Sequence, residues 1–466
     1  FPQFQTLRDT NNIDVCASYA KLCAEIQKYI EKEDKGGVEK RAANVKKGSR
    51  NAEELEKMLA SPLSDAVLNP TPEPVDIART EEMQHLHLFL RGQNQGVDLE
   101  KVFPRGTVCT DGRLDLCKQV IGPKGVADLE LSLRVDGSMA APKIRHLLLG
   151  NNIAGKGLGI AVAKLITEKS TSITTWYIAG NELDGEAIEP VTKAMETDDR
   201  VQQLWLKRNP LKLQGAVRIG QMLQRNTFLK VLDLTNTGLL DKGVQIVCEG
   251  IISNQNSALS VLYLESNGIS IASVPVLCEM IRLSKIRDLC IGCNRIGDKG
   301  AVMIAEIIDF LEHLEMSSCG IGPRGAEAIA NVLATNKTLR KLDLGFLKST
   351  NALGEIPNAI GNQGATALAN ALKTNSTLLS LNVLHNAIFQ EGVSNLAKAL
   401  SNGNTTLLYL NIEQLGIPHN EVTREAIRTA LKRNLALLNE EEKKKAASMI
   451  NREHLTEIKS VYRNEQ

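Results

Sequence analysis

Aromatic residues are scarce in this chain of 466 residues: two Trp, six Tyr and eight Phe make up 3% of it, while hydrophobic residues as a whole reach 43%. An apolar content that is mostly Leu, Ile, Val and Ala suits many similar thin layers better than one large irregular core. An excess of either charge is lacking as well. The 55 Lys plus Arg against 54 Asp plus Glu leave a formal charge of +1, which removes the case for wholesale nucleic-acid binding. No apolar run approaches the ~18–20 residues of a membrane-spanning helix, and no basic n-region followed by an apolar h-region opens the chain. The first residue is Phe, so a removed leader stays open. A disulfide framework is also missing. The nine cysteines are an odd number, and Cys248 and Cys278 fall inside apolar helical patterns where a small hydrophobe serves equally well. They are expected as buried free thiols in a reducing compartment, the cytoplasm. Three N-x-T sequences begin at Asn336, Asn375 and Asn404; each lies between a helical pattern and the next strand, where turn chemistry accounts for it without glycans.

What is present is a frame that returns. Ile286, Leu289, Ile291, Asn294 and Ile296 stand at positions 1, 4, 6, 9 and 11 of a unit. Ile173, Trp176, Ile178, Asn181 and Leu183 fill the same frame, as do Val201, Leu204, Leu206, Asn209 and Leu211, then Leu259, Leu262, Leu264, Asn267 and Ile269. Starts at 144, 173, 201, 229, 259, 286, 311, 339, 378 and 407 give ten units, with a weaker one before them around Leu114, Leu116 and Ile121. After each strand signal comes a helical one, as in GPRGAEAIANVLATN from Gly322, where apolar residues recur at three and four. Positions 4 and 6 alternate with their neighbours, so a short parallel strand turns them inward. The Asn at position 9 is expected to satisfy backbone groups where the chain bends. One unit cannot cover its own apolar edge, but stacked units can.

The pattern L-x-x-L-x-L-x-x-N-x-L with a strand–helix period near 28 resembles the ribonuclease-inhibitor-like class of leucine-rich repeats, also found in Ran GTPase-activating proteins and in the sensor ends of NLR immune receptors. The resemblance spans roughly residues 111 to 435. It implies an α/β solenoid, a horseshoe with parallel strands on the concave face and helices on the convex face. Around it the chain divides into a mainly helical N-terminal region (1–110) with basic and Pro-rich linkers, and a charged C-terminal helix or cap (436–466). The N-terminal region carries helical patterns at about 12–33 and 51–60, and part of it is expected to cap the first repeat. Thr237 and Leu415 depart from the ladder Asn, and Cys319 replaces it. About eleven extra residues near 347–357 enter before Asn358 resumes the pattern, and this insertion is expected to project from the rim.

Three motifs with catalytic or metal associations are absorbed by the frame. Cys290 and Cys293 have C-x-x-C spacing, but position 5 is on the strand and position 8 is in the turn, with no second pair at metal-site distance. GNNIAGKG (150–157) has Gly157 where a P-loop needs a Ser or Thr hydroxyl. His85 and His87 share one face of an expected strand, which suits surface exposure or weak metal binding, with plain exposure the favoured reading. No cofactor, metal or catalytic constellation is assigned.

There remains the concave surface. At position 5 it reads Leu148, Tyr177, Trp205, Asp233, Tyr263, Cys290, Glu315, Asp343, Asn382 and Asn411. With Lys207, Arg208 and Glu265 beside them, Tyr177, Trp205, Asp233, Tyr263, Glu315 and Asp343 form the candidate partner-binding site. Large aromatics flanked by charge are the make-up of interface hot spots, and ten strands ~4.8 Å apart line an arc on the order of 40 Å. The expected role is a non-catalytic scaffold for a protein partner, with self-pairing left open. The alternatives are a GTPase activator, which the resemblance to the Ran-specific family implies, or an immune or effector-type ligand sensor.

Overall fold

The computed structural model describes residues 52–71, 76–92, 100–134, 144–169, 171–347, 353–413, 420–451 and 459–462. Thirteen strands pair in chain order into one sheet. The first two, β1 (Lys101–Val102) and β2 (Thr107–Val108), form an antiparallel hairpin, and β2 pairs antiparallel with β3 (Arg113–Asp115). From β3 onward the sheet is parallel. It continues through β4 (His146–Leu148), β5 (Thr175–Tyr177), β6 (Gln203–Trp205), β7 (Val231–Asp233), β8 (Val261–Tyr263) and β9 (Asp288–Cys290). It ends with β10 (His313–Glu315), β11 (Lys341–Asp343), β12 (Ser380–Asn382) and β13 (Tyr409–Asn411). The weak first unit is therefore a true repeat.

The strands from β3 onward are three residues long because only positions 3 to 5 lie straight before the ladder residue bends the chain. Positions 4 and 6 point to the helix layer and are sealed: Leu204, Leu206, Leu232, Leu234, Leu262 and Leu264 are all fully buried. Each helix packs on the next, and small residues set their spacing. A Cβ on Gly250 would stand 2.6 Å from the Gly220 carbonyl oxygen of the neighbouring helix, so a larger residue there would push two repeats apart.

The ladder works as its chemistry requires. Asn267 donates to the carbonyls of Leu234 (2.8 Å) and Leu264 (3.2 Å), and its side-chain oxygen accepts from the amides of Thr237 (3.1 Å) and Leu239 (3.2 Å). Thr237 keeps its place by donating to Leu234 O, and the Cys319 thiol reaches Ile291 O. After the insertion, Asn358 serves both Met316 and Leu344 carbonyls and accepts from Cys319 and Ile321 amides. A second amide row closes the helix ends: Asn336, Asn375 and Asn404 are 2–3% exposed, and Asn375 and Asn404 donate to the Leu333 and Leu372 carbonyls. These sequon amides are structural, with no room for a glycan.

The N-terminal region does more than cap. A short turn and the helix Gln84–Leu90 do cover the first repeat, sending Met83, Leu86, Phe89 and Leu90 into the main core. His85 and His87 thus lie on a helix rather than a strand. His85 is exposed, while His87 is buried with Nδ1 2.9 Å from the Ser132 hydroxyl, and burial lowers its pKa. The helical pattern at 12–33 lies outside the described residues; that at 51–60 appears as the helix Ala52–Leu59. From this helix the chain runs backwards along the strand-to-helix rim. Leu59 lies against Gly297 and Gly320, Leu63 against Gly268, Leu68 and Pro70 against Gly238, and Ile77 against Gly122. Arg295 donates to the Leu59, Ser61 and Pro62 carbonyls, and Lys212 to Asn69. Part of the insertion joins this seam instead of projecting: Ile356 is 3% exposed, packs with Leu55 and Ala359, and accepts from the Gly320 amide. Residues 348–352 of the insertion lie outside the described set.

At the other end the helix Glu421–Ala436 closes the array, with Ile427 and Ala430 in the core and Asn434 donating to Leu407 O at 2.9 Å. Among the described residues, no helix is long and apolar enough to cross a membrane.

Candidate partner-binding face

The parallel register sets the position-5 residues side by side in the order the sequence implies: Asp115, Leu148, Tyr177, Trp205, Asp233, Tyr263, Cys290, Glu315, Asp343, Asn382, Asn411. Tyr177 on β5 and Asp343 on β11 are six strands apart, ~29 Å along the sheet, so the nine candidate residues form two adjoining patches rather than one pocket.

The first patch is aromatic. The Trp205 and Tyr263 ring centres are 5.3 Å apart at 41°, and Tyr177 stands 6.3 Å from Trp205 on the other side. Trp205 and Tyr263 are separated by the whole width of β7, so the two rings lean together over Asp233, which lies between them. Trp205 corrects the expectation of an exposed anchor. It is 4% exposed, packed on Val231 and Val261 at position 3, with its indole N–H directed to Gln203 at 3.3 Å. Tyr177 and Tyr263 are half-buried and form the accessible edges. The sequence signal for this was the pair of valines at position 3, which give the indole an apolar floor.

The second patch is acidic and unusually dry. Asp233 and Glu265 are 3% and 9% exposed. Burial raises the pKa of Asp233, opposed by the nearby Lys207 ammonium. Glu265 is pushed up to about 8 by burial first, then by the like charges of Glu315 and Asp233, although the Thr235 hydroxyl donates to it at 2.7 Å. Asp343 is well satisfied, accepting from the Ser317 hydroxyl, the Gly345 amide and the Asn382 side chain at 2.8 to 3.0 Å. Lys207 and Arg208 are half-buried, Arg208 in the turn with φ +58°.

Sequence reasoning missed Thr235 and Asp288. Asp288 on β9 pairs with His313 on β10 at 2.8 Å, both nearly buried. They stand at position 3 of their units, beside the position-5 row, and could have been found by reading that row in parallel.

The two cysteines of the C-x-x-C spacing separate as the frame requires. Cys290 is buried on the strand face and Cys293 lies in the turn at φ +54°, and both are free thiols. Burial pushes the Cys293 thiol up to about 12, the opposite of an activated redox cysteine. Cys290 instead gathers with acids from its neighbours. One ligand atom each from Glu265, Cys290 and Glu315 lies within 4.8 Å of the others, the group among the described residues that could hold a metal ion. In GNNIAGKG, Lys156 pairs with Glu186 at 3.0 Å on the surface, and Asn152 is a ladder residue that donates to Leu116 O, so this stretch is a repeat turn.

The family model described as Leucine Rich repeat matches residues 225–248, 282–305 and 310–330. NACHT, LRR and PYD domains-containing protein 12 of Mus musculus is 24% identical over 304 residues, covering 63% of this chain and 27% of that protein. The ribonuclease inhibitor of Sus scrofa is 26% identical over 189 residues, 40% of this chain and 41% of the inhibitor. A Caenorhabditis briggsae homolog of protein phosphatase 1 regulatory subunit 37 is 25% identical over 220 residues, covering 47% and 23%. The matched stretch spans about a quarter to two fifths of the length of these relatives. Among solved structures, a chain of the yeast Rad7 and Elc1 complex covers 91% of each chain at 13% identity with a TM-score of 0.42. The leucine-rich repeat family model and the ribonuclease inhibitor relatives, with the strand register and the asparagine ladder, support a leucine-rich repeat protein of the ribonuclease-inhibitor-like class.

Proposed function

We propose that this chain is a non-catalytic scaffold that grips a protein partner on the strand face between β5 and β11. The observation that carries the reading is the aromatic group on β5, β6 and β8, in a protein with so few rings, standing beside a row of acidic residues. Tyr177 and Tyr263 supply rigid area at small entropic cost, Trp205 braces them from beneath, and Glu315 and Asp343 extend the surface into a charged half. Ribonuclease inhibitor and a phosphatase regulatory subunit are among the relatives, which supports a binding role for the repeats.

The test compares proteins captured by the full chain with those captured by a Tyr177→Ala/Tyr263→Ala variant of equal thermal stability. Loss of the same partners from the variant supports the face, with a direct titration of any recovered partner showing weakening of about 2 kcal/mol or more. An unchanged set of partners and affinities removes this face from the site.

A further inference from the structure

The last described residues of the chain return to the first strands of the sheet. The Val461 amide donates to Asp115 Oδ2 at 2.6 Å and the Ser460 hydroxyl to Oδ1 at 3.1 Å. The Tyr462 hydroxyl lies 2.7 Å from that of Thr107 on β2, and the Arg113 guanidinium donates to the Lys459 carbonyl. The preceding helix, Glu440–Asn451, sits at the far end of the sheet, where Lys341 on β11 donates to the Ile450 carbonyl at 3.3 Å.

We propose that Thr107, Arg113, Asp115 and Cys117 form a docking site for a short turn-forming peptide of the form hydroxyl residue, any residue, tyrosine, filled in this structure by the chain's own Ser460-Val461-Tyr462. The contacts divide as peptide recognition does. The main chain is held at Lys459, whose carbonyl accepts, and at Val461, whose amide donates, and the side chains of Ser460 and Tyr462 are read through their hydroxyls. Asp115 is fully buried, and besides the tail it is met by the Cys117 amide, 3.0 Å away, and the Cys117 thiol. A buried carboxylate needs its donors, so an emptied site favours refilling. The occupant is held lightly otherwise: Val461 is 45% exposed and Lys459 is exposed.

The site also abuts the proposed partner face. Asp115, Leu148 and Tyr177 are consecutive in register, and the Cys117 sulfur and the Tyr177 ring both lie against Gly150. A seated tail therefore borders Tyr177, and a partner reaching this end of the wall meets it. This consequence rests on the reading of the wall as the partner face; the docking site itself does not.

The probe is a fluorescein-labelled peptide with the sequence of residues 459–466, titrated by polarisation against the full chain. In the natural chain the tethered tail competes at high effective concentration. Ser460→Glu sets a second carboxylate against Asp115 and empties the site, so the peptide binds this variant about tenfold or more tightly than the natural chain. Adding Thr107→Val or Asp115→Ala weakens that binding. In the Ser460→Glu chain the Cys117 thiol reacts faster with an aromatic disulfide reagent, and added peptide slows it again. Equal peptide binding to both chains, binding to neither, or binding indifferent to Thr107 and Asp115 overturns the proposal. Thermal melts identify any variant that has lost its fold, and Thr107→Val keeps the test open if Asp115→Ala has. If the peptide result holds but partner affinity is the same with the tail seated or freed, the docking site stands and its role in access falls. If the peptide result fails while Tyr177→Ala/Tyr263→Ala still loses partners, only the partner face stands.

Discussion

Two rows of side chains run along the same strands, at positions 9 and 5 of each unit, and only one of them repeats. The position-9 row is Asn in most units, and where it is Thr237 or Cys319 the replacement still donates to a carbonyl. The position-5 row changes from aliphatic to aromatic to acidic to amide within ten strands. A row that serves the backbone has one solution and is bound to recur. The position-5 row is only partly bound in this way: Asp115, Asp233, Asp343, Asn382 and Asn411 each accept from the amide two residues on, whereas the aromatic members Tyr177, Trp205 and Tyr263 break that pattern and mark where the row departs from the needs of the backbone.

That contrast can be broken by substitution. The largest effect is expected from Asn267→Ala, which takes the acceptor from the buried Thr237 and Leu239 amides and one donor from each of the Leu234 and Leu264 carbonyls, and should cost about 3 kcal/mol or more in chemical denaturation. A loss below about 1 kcal/mol would mean that the ladder is replaceable. Trp205→Ala comes next, at about 2–3 kcal/mol, because the indole is packed rather than displayed. Its partner affinity should fall as well, through loosened tyrosines. Tyr263→Ala should show the reverse balance: a stability loss of about 1 kcal/mol or less, with partner binding weakened by about 2 kcal/mol. If Tyr263 costs as much stability as Trp205, the two do not divide into brace and anchor.

A further test concerns pH. Glu265 titrates near 8 in the folded chain against about 4.3 unfolded. Between those values the folded chain keeps a proton that the unfolded chain has released, so stability falls as pH rises through this window and levels off above it. Glu265→Gln should flatten that slope in denaturant titrations at pH 5, 6, 7 and 8. A slope that persists in the variant assigns it to other groups.

The solenoid was legible in the sequence because the ladder and the position-4 and position-6 leucines repeat about every 28 residues, and repetition survives any single misreading. The nine face residues were legible as a set for the same reason. What was hidden lay in contacts that do not repeat. Leu59, Leu63 and Ile77 meet glycines already explained by their turns, so nothing in the pattern called for a partner. The β1–β2 hairpin has strands of two residues, too short for alternation to show. The burial of Trp205 depends on a ring from two strands away leaning across Asp233, and register alone does not convey that tilt. His87 was read with a period of two in HLHLF, where the helix Gln84–Leu90 has its own period.

The backward run of residues 55–71 and 76–77 over the rim changes how load passes through the molecule. A bare stack of repeats peels from whichever end is pulled. Here tension applied at Ala52 enters near Gly320, deep in the array, and must shear Leu59, Leu63 and the Arg295 contacts off the glycine seam before it reaches the first strand. Drawn in an optical trap, the protein should yield in an early, separate step as that seam unzips, with the repeats unravelling only afterwards.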